Sequence, residues 1–264
     1  MPIVEFIAGQ TTAPGATLTT LVPCAGNSFQ IRHAPVDSNI FLLWMISFNR
    51  GAGRTRLSSP LLVDNVNPIN YIAPTRDPQF GIHFNQLQKL YSGDQLIYQL
   101  SGSAVAGDIA TGGLNIYYES LSNDSASLIG PDELRDKCVG IKTVRCDITP
   151  GATGNYSGAQ SIIATENLLK AGKRYAVLGW SPSVYDGITR IYGPFSSNFG
   201  VALPNMNPGG ASCHNGFIEE SKRTGLDLIP VFNSDDRFNT FIDVLGDEDV
   251  VGFTCELMLA ELVD

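Results

Sequence analysis

The chain has 264 residues, a net charge of −9 and only 16% charged residues, against roughly 25% in an ordinary soluble domain. Its 27 glycines and 15 prolines point to many turns rather than long helices. That balance argues against direct nucleic-acid binding, and the longest apolar run, 40–46, is too short for a membrane-spanning helix.

In chain order, residues 1–31 hold no Lys or Arg and no signal-like apolar stretch, so no secretory leader is expected. Phe41 to Phe48 is almost continuously apolar, as in a strand buried on both faces. Asn49 to Gly53 reads as a turn, since glycine tolerates the positive φ that tight turns need. Gln95 to Leu100 and Thr254 to Leu262 read as strands bounded by turn residues. Helices are expected at Phe84 to Leu90, at Pro131 to Cys138 and at Gly216 to Arg223. The second of these opens with acids that suit a helix N-terminus.

A long internal repeat organises these elements. Pro14-Gly15-Ala16-Thr17 recurs at Pro150 to Thr153. Phe41 to Trp44, followed by Gly53 to Pro60, recurs as Tyr175 to Leu178 followed by Gly187 to Pro194, at an offset of 134. Leu96 to Gly102 matches Thr240 to Gly246 at 144, and Gly113 to Tyr117 matches Gly252 to Glu256 at 139. Four matches in one order, with drifting offsets, are what duplicated strands with divergent loops leave. The expected fold is all-β: two tandem eight-stranded jelly rolls, 1–125 and 138–264, joined by a helical linker over 126–137.

The residues that carry chemistry are sparse. His33, His83 and His214 never form an H-x-H, which argues against the metal centre of a two-domain cupin. Ser212, Cys213 and His214 are sequence neighbours in a Gly-rich stretch without a G-x-S-x-G elbow, so they read as a loop rather than a triad. Gly51 to Arg56 lacks the spacing of a phosphate loop. The five cysteines, an odd number without a C-x-x-C pair, read as reduced and mostly buried thiols. Asp235, Asp236, Asp247, Glu248 and Asp249 offer oxygens that would suit a structural calcium ion. Arg56 and Arg190 occupy equivalent places in the repeat, as do Pro60 and Pro194, and these four are candidates for a recurring ion pair or an assembly contact. No enzyme activity and no cofactor are expected.

The repeated G-x-T-R-[Leu/Ile]-x-x-Pro block (Gly53 to Pro60, Gly187 to Pro194) and the stretch Arg54 to Val66 resemble the double jelly-roll major capsid proteins of tailless icosahedral viruses. That lineage includes adenovirus hexon, and the likeness is to compact members in small membrane-containing bacteriophages such as the corticoviruses. The resemblance implies a homotrimer with a pseudo-hexagonal outline that tiles an icosahedral virion shell assembled in the host cytoplasm. Neighbouring trimers and vertex or minor capsid proteins would be its partners. Two features of the sequence agree. A low charge fraction suits a surface that meets neighbours, and the missing basic arm suits a shell that does not itself condense nucleic acid. Pro2 to Ala8 could then be an arm that touches an internal viral membrane or a neighbouring subunit. The alternative is a carbohydrate- or receptor-binding β-sandwich of spike or fibre type, which would need exposed aromatic side chains. Trp44 and Trp180, however, lie in or beside expected core strands.

Overall fold

The computed structural model describes residues 2–24, 28–48, 51, 53–61, 68–73, 79–81, 87–120, 128–149, 156–183, 187–194, 200–204, 215–246 and 253–263. The first half contains β1 (Ile3–Thr12), β2 (Thr19–Thr20), β3 (Val22–Pro23), β4 (Ile40–Phe48), β5 (Gly53–Ser58), β6 (Ile69–Ala73), β7 (Gln79–Gly81), β8 (Gln88–Lys89), β9 (Ile97–Leu100) and β10 (Ile109–Tyr118). After β11 (Leu128–Ile129) and α1 (Pro131–Lys137) come β12 (Cys138–Ile148), β13 (Gln160–Ser161), β14 (Arg174–Pro182), β15 (Gly187–Tyr192) and β16 (Val201–Pro204). The chain closes with α2 (Gly216–Thr224), β17 (Ile229–Asn233), a 3-10 turn (Ser234–Asn239), β18 (Phe241–Gly246) and β19 (Phe253–Leu262). The molecule is mostly β, and the strand pairs are antiparallel.

The described strands form four sheets. In the first half the orders are β3-β1-β10-β4-β7, with β8 also on β4, and β2-β9-β5-β6. In the second they are β11-β17-β14-β19-β12 and β13-β18-β15-β16. Set side by side, β1-β10-β4-β7 corresponds to β12-β19-β14-β17, and β2-β9-β5-β6 to β13-β18-β15-β16. Register repeats as well. Thr55 stands across from Leu100 and Arg56 across from Gln99, while Thr189 stands across from Val244 and Arg190 across from Asp243. These pairings reproduce the sequence offsets of 134 and 144 together.

A bulge recurs too. Leu43 is the extra residue where β4 meets β10, between Leu42 opposite Ile116 and Trp44 opposite Asn115. Leu178 is the extra residue where β14 meets β19, between Val177 opposite Leu259 and Gly179 opposite Met258. Superimposing the bulges gives offsets of 135 (Leu43 to Leu178) and 143 (Ile116 to Leu259) for these strands. The sequence matches at 134 and 139 are therefore out of register there. In a period-2 strand a one-residue slip exchanges the faces, and side-chain likeness alone does not report it.

Other expectations need correction. Gln88 and Lys89 pair with Leu42 and Phe41 as β8, so the helix expected to end at Leu90 is not formed there; 82–86 lie outside the described residues. Pro2 to Ala8 is not a free arm. Ile3 to Thr12 pairs residue by residue with β10, and Ile3, Val4, Phe6, Ile7 and Ala8 are buried, because a strand apolar on both faces gains by being covered on both. The repeat at 150–153, the turns at 49–50 and 184–186, and 209–214 lie outside the described residues.

The helices behave as their sequences suggest. Pro131 opens α1, Asp132 and Glu133 fill its first turn, and Lys137 bridges to Glu133 at 2.9 Å. Gly225, at φ +72°, ends α2 in the left-handed conformation that glycine adopts without penalty.

Candidate functional site

The faces of the sheets, rather than a cleft, carry the distinctive chemistry. On β1 the side chains of Ile3 and Ile7 enter the first half's own core with Leu42, Met45, Leu57, Tyr98 and Leu114. Val4, Phe6 and Ala8 point the other way. Together with Leu43, Trp44, Ile46 and Tyr117 they join one continuous buried cluster with the second half's core, including Ile188 and Ala202. Polar contacts register the two halves. The Phe6 amide donates to the Gly200 carbonyl at 3.2 Å. Buried Asn115 donates through Nδ2 to the Ala202 carbonyl at 3.2 Å and accepts from its amide at 3.4 Å. Arg223 of α2 donates to the carbonyl of Leu43, the bulge residue, at 3.3 Å.

Arg190 sits beside this seam. Its guanidinium makes a fork to Asp243, with Nε to Oδ1 at 3.0 Å and an η nitrogen to Oδ2 at 2.6 Å. It lies over the rings of Tyr156 at 3.9 Å and Tyr192 at 4.8 Å. Gly200, at φ +80°, packs on its aliphatic stem, where a Cβ would come within 2.5 Å of Cδ. Burial is the largest single influence and works against the Arg190 charge, but the hydrogen bonds to Asp243 together with the charge interactions with Tyr156, Asp243 and Tyr192 outweigh it and raise the pKa. Burial also raises Asp243, and Arg190 pulls it only part of the way back. Arg56, at the matching position, is half-buried and stands across the ladder from Gln99.

Of the remaining sequence candidates, Pro60 is exposed in the turn after β5, and Pro194 is half-buried after β15. Asp235 and Asp236 lie in the 3-10 turn, where Asp235 approaches Arg237 at 4.0 Å. Asp247, Glu248 and Asp249 are outside the described residues. Among the described residues no group of three or more His, Cys, Asp or Glu is placed to hold a metal ion. Trp44 and Trp180 are 1% and 0% exposed, so neither offers a sugar-stacking face. Cys24, Cys146 and Cys255 are buried free thiols, and Cys138 is half-buried. Among the described residues no helix is long and apolar enough to cross a membrane.

Two further networks escaped the sequence reading. Buried Glu5 accepts from Arg32 Nε and from the Tyr118 hydroxyl, both at 2.9 Å, and burial raises its pKa against the pull of Arg32. Its register counterpart, Lys142, carries the opposite charge. It bridges Glu261 at 2.9 Å and donates to the Tyr175 hydroxyl at 3.4 Å. An acid inside the apolar run Ile3 to Ile7, and an Asn inside Leu114 to Tyr118, were the available signals.

No protein-family model and no curated protein matches the chain. Among solved structures it is similar to the crystal structure of PBSX exported protein XepA, at 9% identity and a TM-score of 0.25, over 99% of this chain and 86% of that one. A likeness that slight carries no argument about function.

Proposed function

We propose that each half is an eight-stranded jelly roll and that the chain is a major capsid protein. It would assemble as pseudo-hexagonal homotrimers into an icosahedral virion shell, beside vertex or minor capsid proteins. The observation that carries the reading is the twofold occurrence of one strand order, β1-β10-β4-β7 with β2-β9-β5-β6, and β12-β19-β14-β17 with β13-β18-β15-β16. Two such units in one polypeptide let three copies present six similar corners, which tile a facet without six separate chains. A sheet buried on both faces between the halves holds the two units as one block. The distinctive groups of this molecule, the Arg190–Asp243 fork and the Asn115 contact, hold elements together, which is the work of a shell component.

The purified protein is expected to run as a particle of about 85 kDa, three times the 28.4 kDa chain, by light scattering. Electron micrographs should show six-cornered particles or shells. A 28.4 kDa species that persists at tens of micromolar would overturn the proposal. The carbohydrate-binding alternative has both tryptophans against it, since they are buried.

A further inference from the structure

Strand β12 turns Val144, Cys146 and Ile148 to the core and Val139, Ile141, Thr143, Arg145 and Asp147 away from it. Ile141 is 62% exposed, although a sheet face that meets only water favours polar side chains. Its cross-strand partner on β19 is Ala260, and Ala260 in turn stands across from Ala176 on β14, two residues before the bulge at Leu178. Apolar side chains thus run across three strands of the second half.

Helices α1 and α2 wall these side chains and leave a cleft of about 380 Å³. Ile141, Leu178 and Ala260 line it from the strands, and Leu134 and Ile218 from the helices. Cys138 joins them where α1 runs into β12. The rest of the lining is polar and includes Arg135, Lys222 and Asp132. Asp132 is bound to Arg135 at 3.0 Å, and Arg135 also meets Asp136 at 3.3 Å. Lys222, in the last turn of α2, has no ion pair among the described residues. Beyond Lys222 the gap between the helices turns acidic, with Asp227 and with Glu133, which Lys137 holds at 2.9 Å. The cleft therefore offers an apolar floor and one uncompensated positive charge, on the side away from those acids.

We propose that the cleft binds a free alkyl carboxylate of about eight to twelve carbons, a size suited to the small end of ligand-site volumes. The chain would lie on Ile141, Leu178 and Ala260, and the carboxylate would meet Lys222 beside Arg135. An apolar floor alone would take any hydrocarbon; the unpaired ammonium is what selects an anion. Each methylene withdrawn from water strengthens binding by up to about fourfold. A contact between exposed charges adds up to about fivefold, and less as salt rises. The site needs only one chain, so it stands apart from the shell reading.

Cys138 supplies the readout, because it lines the cleft while Cys24, Cys146 and Cys255 are buried. The full-length protein is alkylated with iodoacetamide in the presence of octanoate, decanoate or dodecanoate below their micellar concentrations. Labelling at Cys138 is then followed by peptide mass spectrometry. Protection should saturate, at a concentration that falls about threefold or more for every two methylenes added. Decanol should need about fivefold more than decanoate at low salt. Lys222→Ala should erase that difference and leave protection by decanol unchanged. Ile141→Asp should abolish protection by both, and Lys89→Ala, at an exposed position in the first half, should alter neither.

Equal protection by decanol and decanoate in the unmodified protein, or labelling that no carboxylate slows, would overturn the assignment. So would protection by vesicles of an anionic phospholipid that free decanoate fails to reproduce, since the cleft would then be a membrane contact. A trimer of about 85 kDa without protection by carboxylates would sink the site and spare the shell reading. The predicted protection in a chain that never oligomerises would do the reverse.

Discussion

At the scale of single residues, the Arg190–Asp243 pair shows what a recurring sequence block can conceal. Arg56 and Arg190 look alike in sequence, yet across the ladder Arg56 meets Gln99, whereas Arg190 meets Asp243 and lies over the rings of Tyr156 and Tyr192. Asp243→Asn should lower the free energy of unfolding by about 3 to 5 kcal/mol in urea titrations, because the guanidinium stays buried without its counter-charge. Removing both partners together, Arg190→Met with Asp243→Leu, should cost less than the single change. The acid limb of stability has a different source. Hydrogen bonds from Lys142 and then Lys170 hold the Glu261 carboxyl below its ordinary pKa. Stability from that group is complete above the unfolded value of about 4.3 and is lost as pH falls through the lower folded value. Glu261→Gln should therefore flatten the fall of the urea midpoint between neutral and acid pH. An unchanged slope would show that the lysine contacts contribute nothing. Buried thiols make a third case. Burial pushes Cys24 up to about 11 and Cys146 up to about 12, so both should resist alkylation at neutral pH until the chain unfolds.

At the scale of elements, β4 is the clearest instance of a strand whose sequence announces its surroundings. Its unbroken apolar run has a core on one side and the second half on the other, and the bulge at Leu43 sets which side chain goes where. Trp44 lies on the side shared between halves, so Trp44→Ala should cost about 3 to 5 kcal/mol in chemical unfolding, by lost transfer and an unfilled cavity. Strands β5, β9, β15 and β18 and helices α1 and α2 were legible because short-range patterning governs them, and the matched blocks carried the register of β5 on β9 and β15 on β18 but not that of β4 on β10 and β14 on β19. The strand at Gln88–Lys89 was not legible. Two residues carry no period, and their conformation follows from the β4 edge they complete.

At the scale of the molecule, the shared cluster ties the halves into one cooperative body. Calorimetry of the whole chain should show a single transition with matching van't Hoff and calorimetric enthalpies; two separated transitions would mean that the seam is weaker than either core. The sequence alone made the mostly β class and the ordered repeat of its blocks legible, because strand patterning and turn chemistry are local. It also determined that acid and apolar residues would dominate over base. Tertiary packing was needed to show which face of each sheet is closed, that residues 3–12 are a core strand rather than an arm, and that Glu5 and Lys142 hold equivalent places with opposite charge. Those outcomes depend on which surfaces meet across long stretches of intervening chain, and no local pattern encodes the identity of a distant partner.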